Sequence, residues 1–370
     1  MKDLRTAVVG AGHLGRFHAQ KLARLDGVEL VAVVDPVEAR RNAVAAECHT
    51  QPLADHRPLA DRIDAAGIAA PTQFHHSVAL DLLDWGVHLF VEKPLSATAA
   101  QADELVAAAK RRGVVLQVGH VERFNPALKP VRAELVDAKY IEAVRAAPFS
   151  FRSTDIGVVL DPMIHDIDLV LSLVRSRVRK VDALGLSVLG AHEDVANARL
   201  EFQCGCVATL SASRVSYEAV RRMSVWTPRA FAAVDFAART STLVRPDAAL
   251  VDRRFDLASL ATPEPQQRAQ QLAALLPRQQ TQSEPVDALL LELTEFVQNI
   301  RSRATAVLGC SGEEGRDAIA VAERILAKIA GHAWDDQPDG LVGPLAIPRP
   351  SVLPSPHWQM AHGRTRREAG

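Results

Sequence analysis

The stretch RTAVVGAGHLGRFHAQKLARL, residues 5–25, decides the fold of this chain. It reads as a short apolar strand, a glycine turn and a helix, and Gly10, Gly12 and Gly15 give the turn the spacing GxGxxG. Asp35 follows at the end of the next apolar stretch, VELVAVVD, about 20 residues further on. The first glycine of such a turn permits the tight bend, the second admits a pyrophosphate to the backbone, and the third allows close helix packing. The stretch therefore predicts a dinucleotide site.

The start of the first helix completes this predicted site. His13 and Leu14 lie at its N-terminus, where free N–H groups and a partial positive charge favour phosphate. Asp35 can accept hydrogen bonds from both ribose hydroxyls but would repel a 2′-phosphate, so NAD is favoured over NADP. A flavin is less favoured because no long second nucleotide-anchoring segment is evident. The alternative is a glycine turn that binds nothing.

The rhythm of the first 122 residues predicts a parallel sheet. Short apolar stretches alternate with amphipathic segments, which is the pattern of a doubly wound α/β sheet with helices on both faces. We predict helices at residues 37–47, 77–84 and 101–111 and strands in VELVAVVD, AAGIAAPT, VHLFVEKP and VVLQVGH. Residues 1–122 are thus expected to form a Rossmann dinucleotide-binding domain.

The pattern changes after about Arg123. Alternating apolar stretches such as VANARLEFQCGCVATLSASRVS predict a C-terminal α+β domain with an open, mainly antiparallel sheet, spanning residues 123–336. Residues 252–285 are rich in proline and glutamine and read as a surface insertion. The segment 337–370 reads as a Pro-rich tail.

Composition bounds the function further. The 370 residues carry a formal charge of −1, so there is no overall basic field that would favour nucleic acid. No apolar run approaches the length of a membrane span, and the early first strand leaves no room for a leader, which makes a cytoplasmic location the default. The four cysteines lack the spacing of a zinc site, so we expect no metal.

Two further motifs carry ionisable chemistry. LDPMIHDIDLV, residues 160–170, is expected to form a helix with Asp161, His165 and Asp168 on one face. The alternative is a core histidine with aspartates that cap or solvate the helix, and Asp168 is expected either to support the site residues from behind or to be structural. Lys93 follows an apolar strand, where it should project into the cofactor crevice, because Pro94 keeps it out of helical conformation. The alternative is a solvated lysine.

Taken in order, these motifs resemble one known family. AAPTQFHH at 69–76, EKP at 92–94, GHVERFNPAL at 119–128, DPMIHDID at 161–168 and SGEEGRDAIAVAERI at 311–325 are similar to the Gfo/Idh/MocA oxidoreductases. The resemblance covers roughly residues 4–330. It implies NAD(P)-dependent chemistry at a secondary alcohol of a sugar, cyclitol or nucleotide sugar, and a homo-oligomer formed through the C-terminal sheet.

The resemblance also implies roles for individual residues. Lys93 would be the family lysine, and Asp161 with His165 its D-x-x-x-H pair. Thr72, His75 and Glu92 would join the cofactor site. Oxidising an alcohol requires a base of near-neutral pKa, which suits His165, with Asp161 orienting it and the Lys93 ammonium stabilising alkoxide character.

Within the family, the longer phrases look most like the branch that oxidises UDP-N-acetylglucosamine at C3. The 3-keto product of that branch is aminated for lipid A-type glycolipids. Arg123 and Asn125 are then possible substrate contacts, although a helix-start arginine and an N-cap before Pro126 explain them equally well. An inositol or polyol dehydrogenase would use the same catalytic residues. A non-catalytic NAD-binding regulator is less favoured, because it would not need both Lys93 and His165.

Overall fold

The computed structural model describes residues 3–150, 156–256, 258, 264–302, 309–334 and 340–345. Six parallel strands form the first sheet: β1 (Leu4–Val9), β2 (Val28–Val34), β3 (Gln51–Leu53), β4 (Ala65–Ile68), β5 (His88–Glu92) and β6 (Leu116–Gly119). A short antiparallel strand, β15 (Cys310–Ser311), adds to β6, and the strand order is β15-β6-β5-β4-β1-β2-β3. The central strands are almost continuously buried, as expected of a parallel sheet covered on both faces. The predicted Rossmann architecture is confirmed.

The helices of the first domain are α1 (His13–Leu22), α2 (Glu38–Glu47), α3 (Thr72–Asp84) and α4 (Ala99–Arg112). Each helix follows a strand and returns the chain to the amino ends of the strands, where the next parallel strand begins. The glycine turn, Asp35 and Glu92 consequently meet at the carboxyl ends of the strands. In such sheets ligands bind in the crevice outside the carboxyl ends of the strands.

The second sheet contains eight strands: β7 (Tyr140–Ala146), β8 (Val178–Leu186), β9 (Val195–Phe202), β10 (Val207–Ser213), β11 (Val220–Trp226), β12 (Phe231–Asp235), β13 (Thr240–Val244) and β14 (Arg278–Gln282). Their order is β14-β13-β12-β11-β7-β10-β9-β8. Every pairing is antiparallel except that of β7 with β10, so the predicted, mainly antiparallel sheet is confirmed. The strand β14 lies inside the segment predicted as a surface insertion, which also contains α7 (Pro265–Leu275). A short helix, α6 (Ala248–Val251), precedes it.

Two helices cover one face of the second sheet, and a third returns to the first. The apolar sides of α5 (Ile164–Val174) and α9 (Gly312–Ala330) share one core with β7–β12. By contrast, α8 (Ala288–Ser302) packs Phe296 against Phe90 of β5, with ring centroids 5.8 Å apart. Together with β15, this helix lies within the range predicted for the second domain but contacts the first sheet. The chain therefore crosses between the sheets more than once.

The predicted stacking of Asp161, His165 and Asp168 on one helical face is wrong. Residues Val159–Met163 form a wide turn in which Asp161 is extended, with φ −159° and ψ 105°, and α5 begins only at Ile164. Pro162 is the physical reason, because proline disfavours helical conformation in the residue before it. Asp161 therefore lies ahead of the helix that carries the other two residues.

No helix within the described ranges combines the length and the apolar character that crossing a membrane requires. Of the predicted Pro-rich tail, residues 340–345 are described, and Val342 bridges to Ala333. The rest of the tail lies outside the described residues.

Candidate active site

The glycine turn leaves an open space in front of α1. Gly10 has φ +100°, and a Cβ there would lie 2.6 Å from the backbone of Ala69. A Cβ on Gly15 would lie 1.7 Å from the carbonyl oxygen of Gly10, so both positions require glycine to close the turn. A Cβ on Gly12 would meet nothing within 4 Å. Gly12 thus borders a space that suits a pyrophosphate.

The N-terminus of α1 faces that space. Gly12 is the N-cap and no side chain in the described ranges caps the helix, so the first-turn N–H groups remain available to a ligand. His13 and Leu14 are exposed, Leu14 by 44%. The donor set fits the phosphates of a dinucleotide, for which helix N-termini are well suited.

Asp35 ties this turn to the end of β2. Its two carboxylate oxygens accept hydrogen bonds from the backbone N–H groups of Ala11 and Val37, each over 2.8 Å. Each carboxylate oxygen can accept a further hydrogen bond. The predicted contact with ribose hydroxyls is compatible with this arrangement.

Glu92, the last residue of β5, makes buried contacts that hold the start of the following loop. One of its oxygens lies 2.7 Å from Nε2 of the buried His18, and the other accepts a hydrogen bond from the backbone N–H of Lys93 over 3.3 Å. Burial alone would raise the pKa of Glu92, but the hydrogen bond and charge of His18, together with Lys93, outweigh it and lower this pKa. The carboxylate therefore anchors the segment that carries Lys93.

His75 bridges the loop after β4 and the loop after β5. Its ring nitrogens lie 2.9 Å from the carbonyl oxygen of Pro94 and 2.7 Å from that of Ala70, and the side chain is buried. The sequence predicts that His75 lines the cofactor; in the structure its side chain is buried between the two loops. Thr72, the other predicted residue of this loop, is partly exposed at the first position of α3.

The three predicted catalytic residues line one cavity of about 590 Å³. Lys93 forms an ion pair through Nζ with a carboxylate oxygen of Asp161, and His165 lies in the same wall. His13 and Leu14 line the cavity as well, so it extends to the N-terminus of α1. Although Asp161 precedes the helix, the fold brings all three residues together beside the predicted cofactor site.

His165 is poised to be neutral. Burial lowers its pKa well below 6.5, and the positive charges of Lys93 and Arg145 lower it further. Its Nδ1 has no hydrogen-bond partner among the described residues, and the ring of His120 stands nearly perpendicular to it, with centroids 6.0 Å apart. A neutral imidazole at the cavity wall can accept a proton.

Arg123 and Asn125 do not line this cavity. The Arg123 guanidinium donates to both oxygens of Asp168 and to the carbonyl oxygen of Gly309. Asn125 donates from Nδ2 to Glu122 and accepts at Oδ1 the N–H of Ala127. Asn125 thus bonds the turn that follows it, close to the alternative N-cap interpretation, whereas Arg123 forms a buried ion pair that the sequence analysis did not predict.

His120, Asp168 and Cys310 form a buried group whose donor atoms lie within 4.8 Å of one another, as metal ligands would. Arg123 already occupies both oxygens of this carboxylate, at 2.8 and 2.6 Å. A cation beside that guanidinium would meet repulsion. We therefore assign Asp168 to Arg123 and not to a metal.

Comparison with known proteins decides the family. Residues 4–120 match the model of an oxidoreductase family with an NAD-binding Rossmann fold, and residues 132–230 match the Gfo/Idh/MocA C-terminal domain. The chain is 35% identical over 330 residues to UDP-N-acetylglucosamine 3-dehydrogenase of Acidithiobacillus ferrooxidans, covering 89% of this chain and 98% of that protein. The chain belongs to the Gfo/Idh/MocA family.

Other members of the Gfo/Idh/MocA family are also similar. The solved structure of the Acidithiobacillus ferrooxidans enzyme superposes with a TM-score of 0.76 at 33% identity, covering 89% of this chain and 98% of that one. Scyllo-inositol 2-dehydrogenase of Bacillus subtilis is 30% identical over 58% of this chain and 68% of its own length. Levoglucosan dehydrogenase in complex with NADH and levoglucosan, at 16% identity and a TM-score of 0.73, shares the fold.

These findings confirm several of the predictions. The family, the two-sheet fold, the NAD cofactor and an NAD(P)-dependent oxidoreductase acting on CH–OH groups are all borne out. Four side chains of the site were missed by sequence reasoning: His18, Glu122, Arg145 and Arg221. His18 follows Gly15 by three residues and so shares its helix face, which was the available signal. The two arginines lie on β7 and β11, and β7 was not predicted as a strand.

Proposed function

We propose that this protein oxidises UDP-N-acetylglucosamine at C3 to the 3-keto sugar, with NAD as the hydride acceptor. The similarity to the Acidithiobacillus ferrooxidans enzyme spans 98% of that protein, whereas the scyllo-inositol enzyme is matched over 68% of its length. The observation that carries the proposal is the single cavity that holds Lys93, Asp161 and His165 beside the N-terminus of α1.

Each of the three residues has a role that its surroundings support. The neutral His165 accepts the hydroxyl proton, since its lowered pKa leaves it unprotonated near neutral pH. The Lys93 ammonium stabilises the developing negative charge on the same oxygen. Asp161 holds Lys93 through their ion pair. Bound NAD supplies the acceptor for the hydride that leaves the alcohol carbon.

The cofactor site of this proposal uses the residues around the glycine turn. The backbone near Gly12, His13 and Leu14 would contact the pyrophosphate, and Asp35 the adenosine ribose. Thr72 would contribute from the first turn of α3. Glu92 and His75 would position the loops of this site without contacting the cofactor, since both are buried against neighbouring loops and side chains.

The second candidate is an inositol or polyol dehydrogenase. Relatives of that class are matched as well, among them the scyllo-inositol enzyme and a myo-inositol 2-dehydrogenase of Thermotoga maritima at 25% identity. The same base, lysine and cofactor would serve both reactions. The two candidates differ in the substrate group that lies away from the reacting carbon.

An enzyme of the proposed specificity would supply a 3-keto nucleotide sugar to an aminotransferase in a lipid A-type pathway.

We also expect the protein to form a homo-oligomer through the second sheet. Trp226 on that sheet packs against Tyr140 and Phe231, with centroids 5.2 and 5.0 Å away, and none of the three is fully buried. Light scattering of the purified protein tests the oligomer directly.

The substrate is tested by mixing purified protein and NAD with UDP-N-acetylglucosamine, myo-inositol or glucose in separate reactions. Reduced cofactor is followed by absorbance and ketones are trapped, and one reaction includes an aminotransferase with glutamate to draw off the product. The proposal expects reduction with UDP-N-acetylglucosamine alone. Turnover of myo-inositol without turnover of the nucleotide sugar would replace it with the second candidate.

A further inference from the structure

Among the described residues, three arginines line the side of the catalytic cavity that the second sheet contributes, and two of them are neutralised. Arg145 on β7 donates to both oxygens of Asp166, at 3.0 and 2.8 Å, and to Glu122 at 2.7 Å. Arg214 donates to the buried Asp194 at 2.5 Å. Each of these cations thus has a carboxylate within contact.

The third arginine, Arg221, has no such partner. Within the part of the chain that the structure describes, its side chain makes neither an ion pair nor a hydrogen bond. It is exposed and lines the cavity together with Lys93 and His165. Its charge also contributes to lowering the pKa of His165, which places it within electrostatic reach of the reacting groups.

The sheet register makes this unpaired charge costly. Arg221 on β11 lies directly opposite Arg145 on β7, so the two cations share one face of the sheet. Like charges directly opposite each other destabilise a strand pair. The same face of β11 continues with the buried Met223 and Val225, so Arg221 extends an inward-facing row to the cavity rim.

We propose that Arg221 binds a phosphate group of the substrate. This inference rests on the proposed function and extends it: in a UDP-sugar the diphosphate is bonded to C1, on the same ring as the C3 hydroxyl. A guanidinium forms bidentate, charge-assisted hydrogen bonds with phosphate. The residue would therefore distinguish a nucleotide sugar from a neutral polyol in a cavity whose catalytic groups serve both.

The neighbouring residue supplies a matched control. Arg222 follows on the same strand but points to the opposite face, where its guanidinium pairs with Asp235 over 2.9 Å. Arg221→Gln and Arg222→Gln each remove one positive charge from β11 and keep a polar side chain. They differ in which face of the sheet loses the charge.

Binding is measured first, by calorimetry of UDP added to the NADH-loaded protein, because this needs no turnover. Arg221→Gln should raise the Kd of UDP about tenfold or more, as expected for the loss of a charge-assisted contact, and should leave the Kd of NAD unchanged. Arg222→Gln should leave both unchanged. For turnover of UDP-N-acetylglucosamine, Arg221→Gln should raise KM and leave kcat within about twofold.

The arms of the experiment separate the possible failures. Glucose 1-phosphate and N-acetylglucosamine are titrated beside UDP; binding of UDP that depends on Arg221 identifies a nucleotide diphosphate, whereas equal dependence for glucose 1-phosphate identifies any sugar phosphate. An unchanged Kd for UDP in Arg221→Gln, or a weakened Kd for NAD, overturns the assignment of Arg221 while UDP-N-acetylglucosamine turnover keeps the proposed function. If the wild-type protein oxidises a free polyol and does not turn over UDP-N-acetylglucosamine, both the assignment of Arg221 and the proposed function are overturned.

Discussion

The guanidinium of Arg123 donates hydrogen bonds to both carboxylate oxygens of Asp168, over 2.8 and 2.6 Å, and both side chains are buried. Burial opposes the charged form of Arg123, but Asp168 outweighs it and the pKa of Arg123 is raised. The pair links the segment after β6 to helix α5. Neither side chain lines the cavity of Lys93, Asp161 and His165, so we expect the pair to contribute to stability.

Arg123→Leu should therefore destabilise the protein by about 3–5 kcal/mol, since it leaves the Asp168 carboxylate buried without its partner. Urea unfolding measures this loss, and Arg123→Leu combined with Asp168→Leu should recover part of it. Arg57→Leu is the control, because Arg57 is exposed and pairs with a nearby surface carboxylate, and it should change stability by less than about 1 kcal/mol. Unchanged stability with a raised KM in Arg123→Leu would instead favour the substrate contact considered from the sequence.

The glycine turn gives two substitutions with opposite outcomes. Gly12→Val places its side chain in open space, so the melting temperature should stay the same while the Kd of NAD rises about tenfold or more. Gly15→Ala drives a methyl group into the carbonyl oxygen of Gly10 and should lower the melting temperature. Differential scanning fluorimetry with and without NAD measures both. Undiminished NAD binding by Gly12→Val would remove the turn from the cofactor site.

The catalytic assignment predicts loss of turnover without loss of cofactor. Lys93→Ala and His165→Ala should each lower kcat by about 10²–10⁴, the range for a general base or an electrostatic stabiliser, and keep the Kd of NAD. Lys110→Ala is the control, because Lys110 is an exposed lysine on α4 whose partner is Glu313. Undiminished turnover in either of the first two variants would remove that residue from the mechanism.

The lowered pKa of His165 predicts where activity is lost in acid. The base must be neutral, so kcat/KM falls as the pH drops through the pKa of His165, and burial together with Lys93 and Arg145 holds that pKa well below 6.5. A pH profile should stay level from about pH 8 down to about pH 6.5 and fall only below that range. A fall centred at or above about pH 7 would show that another group acts as the base.

The buried Glu292 on α8 predicts that the free energy of unfolding decreases as the pH rises, whereas the activity decreases as the pH falls. It is fully buried, neither carboxylate oxygen has a hydrogen-bond partner among the described residues, and burial together with the nearby Glu92 and Asp168 raises its pKa well above 4.5. The folded state therefore holds a proton that the unfolded state releases. The stability from this group is fully present below the unfolded pKa and is lost as the pH rises through the folded pKa.

Glu292→Gln removes this titration and keeps the shape of the side chain. Relative to the wild type, its free energy of unfolding should increase with pH by up to about 1.4 kcal/mol per pH unit within that window. Urea unfolding at about pH 5 and about pH 8 measures the difference, with the exposed Glu38→Gln as control. A pH-independent difference would show that the Glu292 carboxyl is ionised in the folded state.

The sequence predicted the features that arise from neighbours along the chain. The glycine turn and the alternating strands and helices depend on local spacing, and the structure contains them. The ion pair of Arg123 joins residues 45 apart, and His18 and Glu92 are 74 apart, so neither pairing can be found from local pattern. Arg145 was missed because YIEAVRA mixes charged with apolar residues, and the carboxylates that neutralise its charge, Asp166 and Glu122, are distant in sequence.

The error at Asp161 has a local cause. Helical periodicity placed this residue on the face of His165, but Pro162 forces an extended conformation ahead of α5. Lys93, which directly follows β5, nevertheless pairs with Asp161, and both residues line one cavity with His165. The residues that the motifs select thus lie together, although periodicity assigns Asp161 the wrong local geometry.

The most direct test of the account follows the hydrogen that leaves the sugar. UDP-N-acetylglucosamine carrying deuterium at C3 is incubated with the protein and NAD, with ketone removal, and the reduced cofactor is analysed by mass spectrometry. The account predicts NADH that carries one deuterium, formed by the wild type and not by His165→Ala. Reduced cofactor without deuterium, or its formation from a free polyol but not from this substrate, would contradict oxidation at C3.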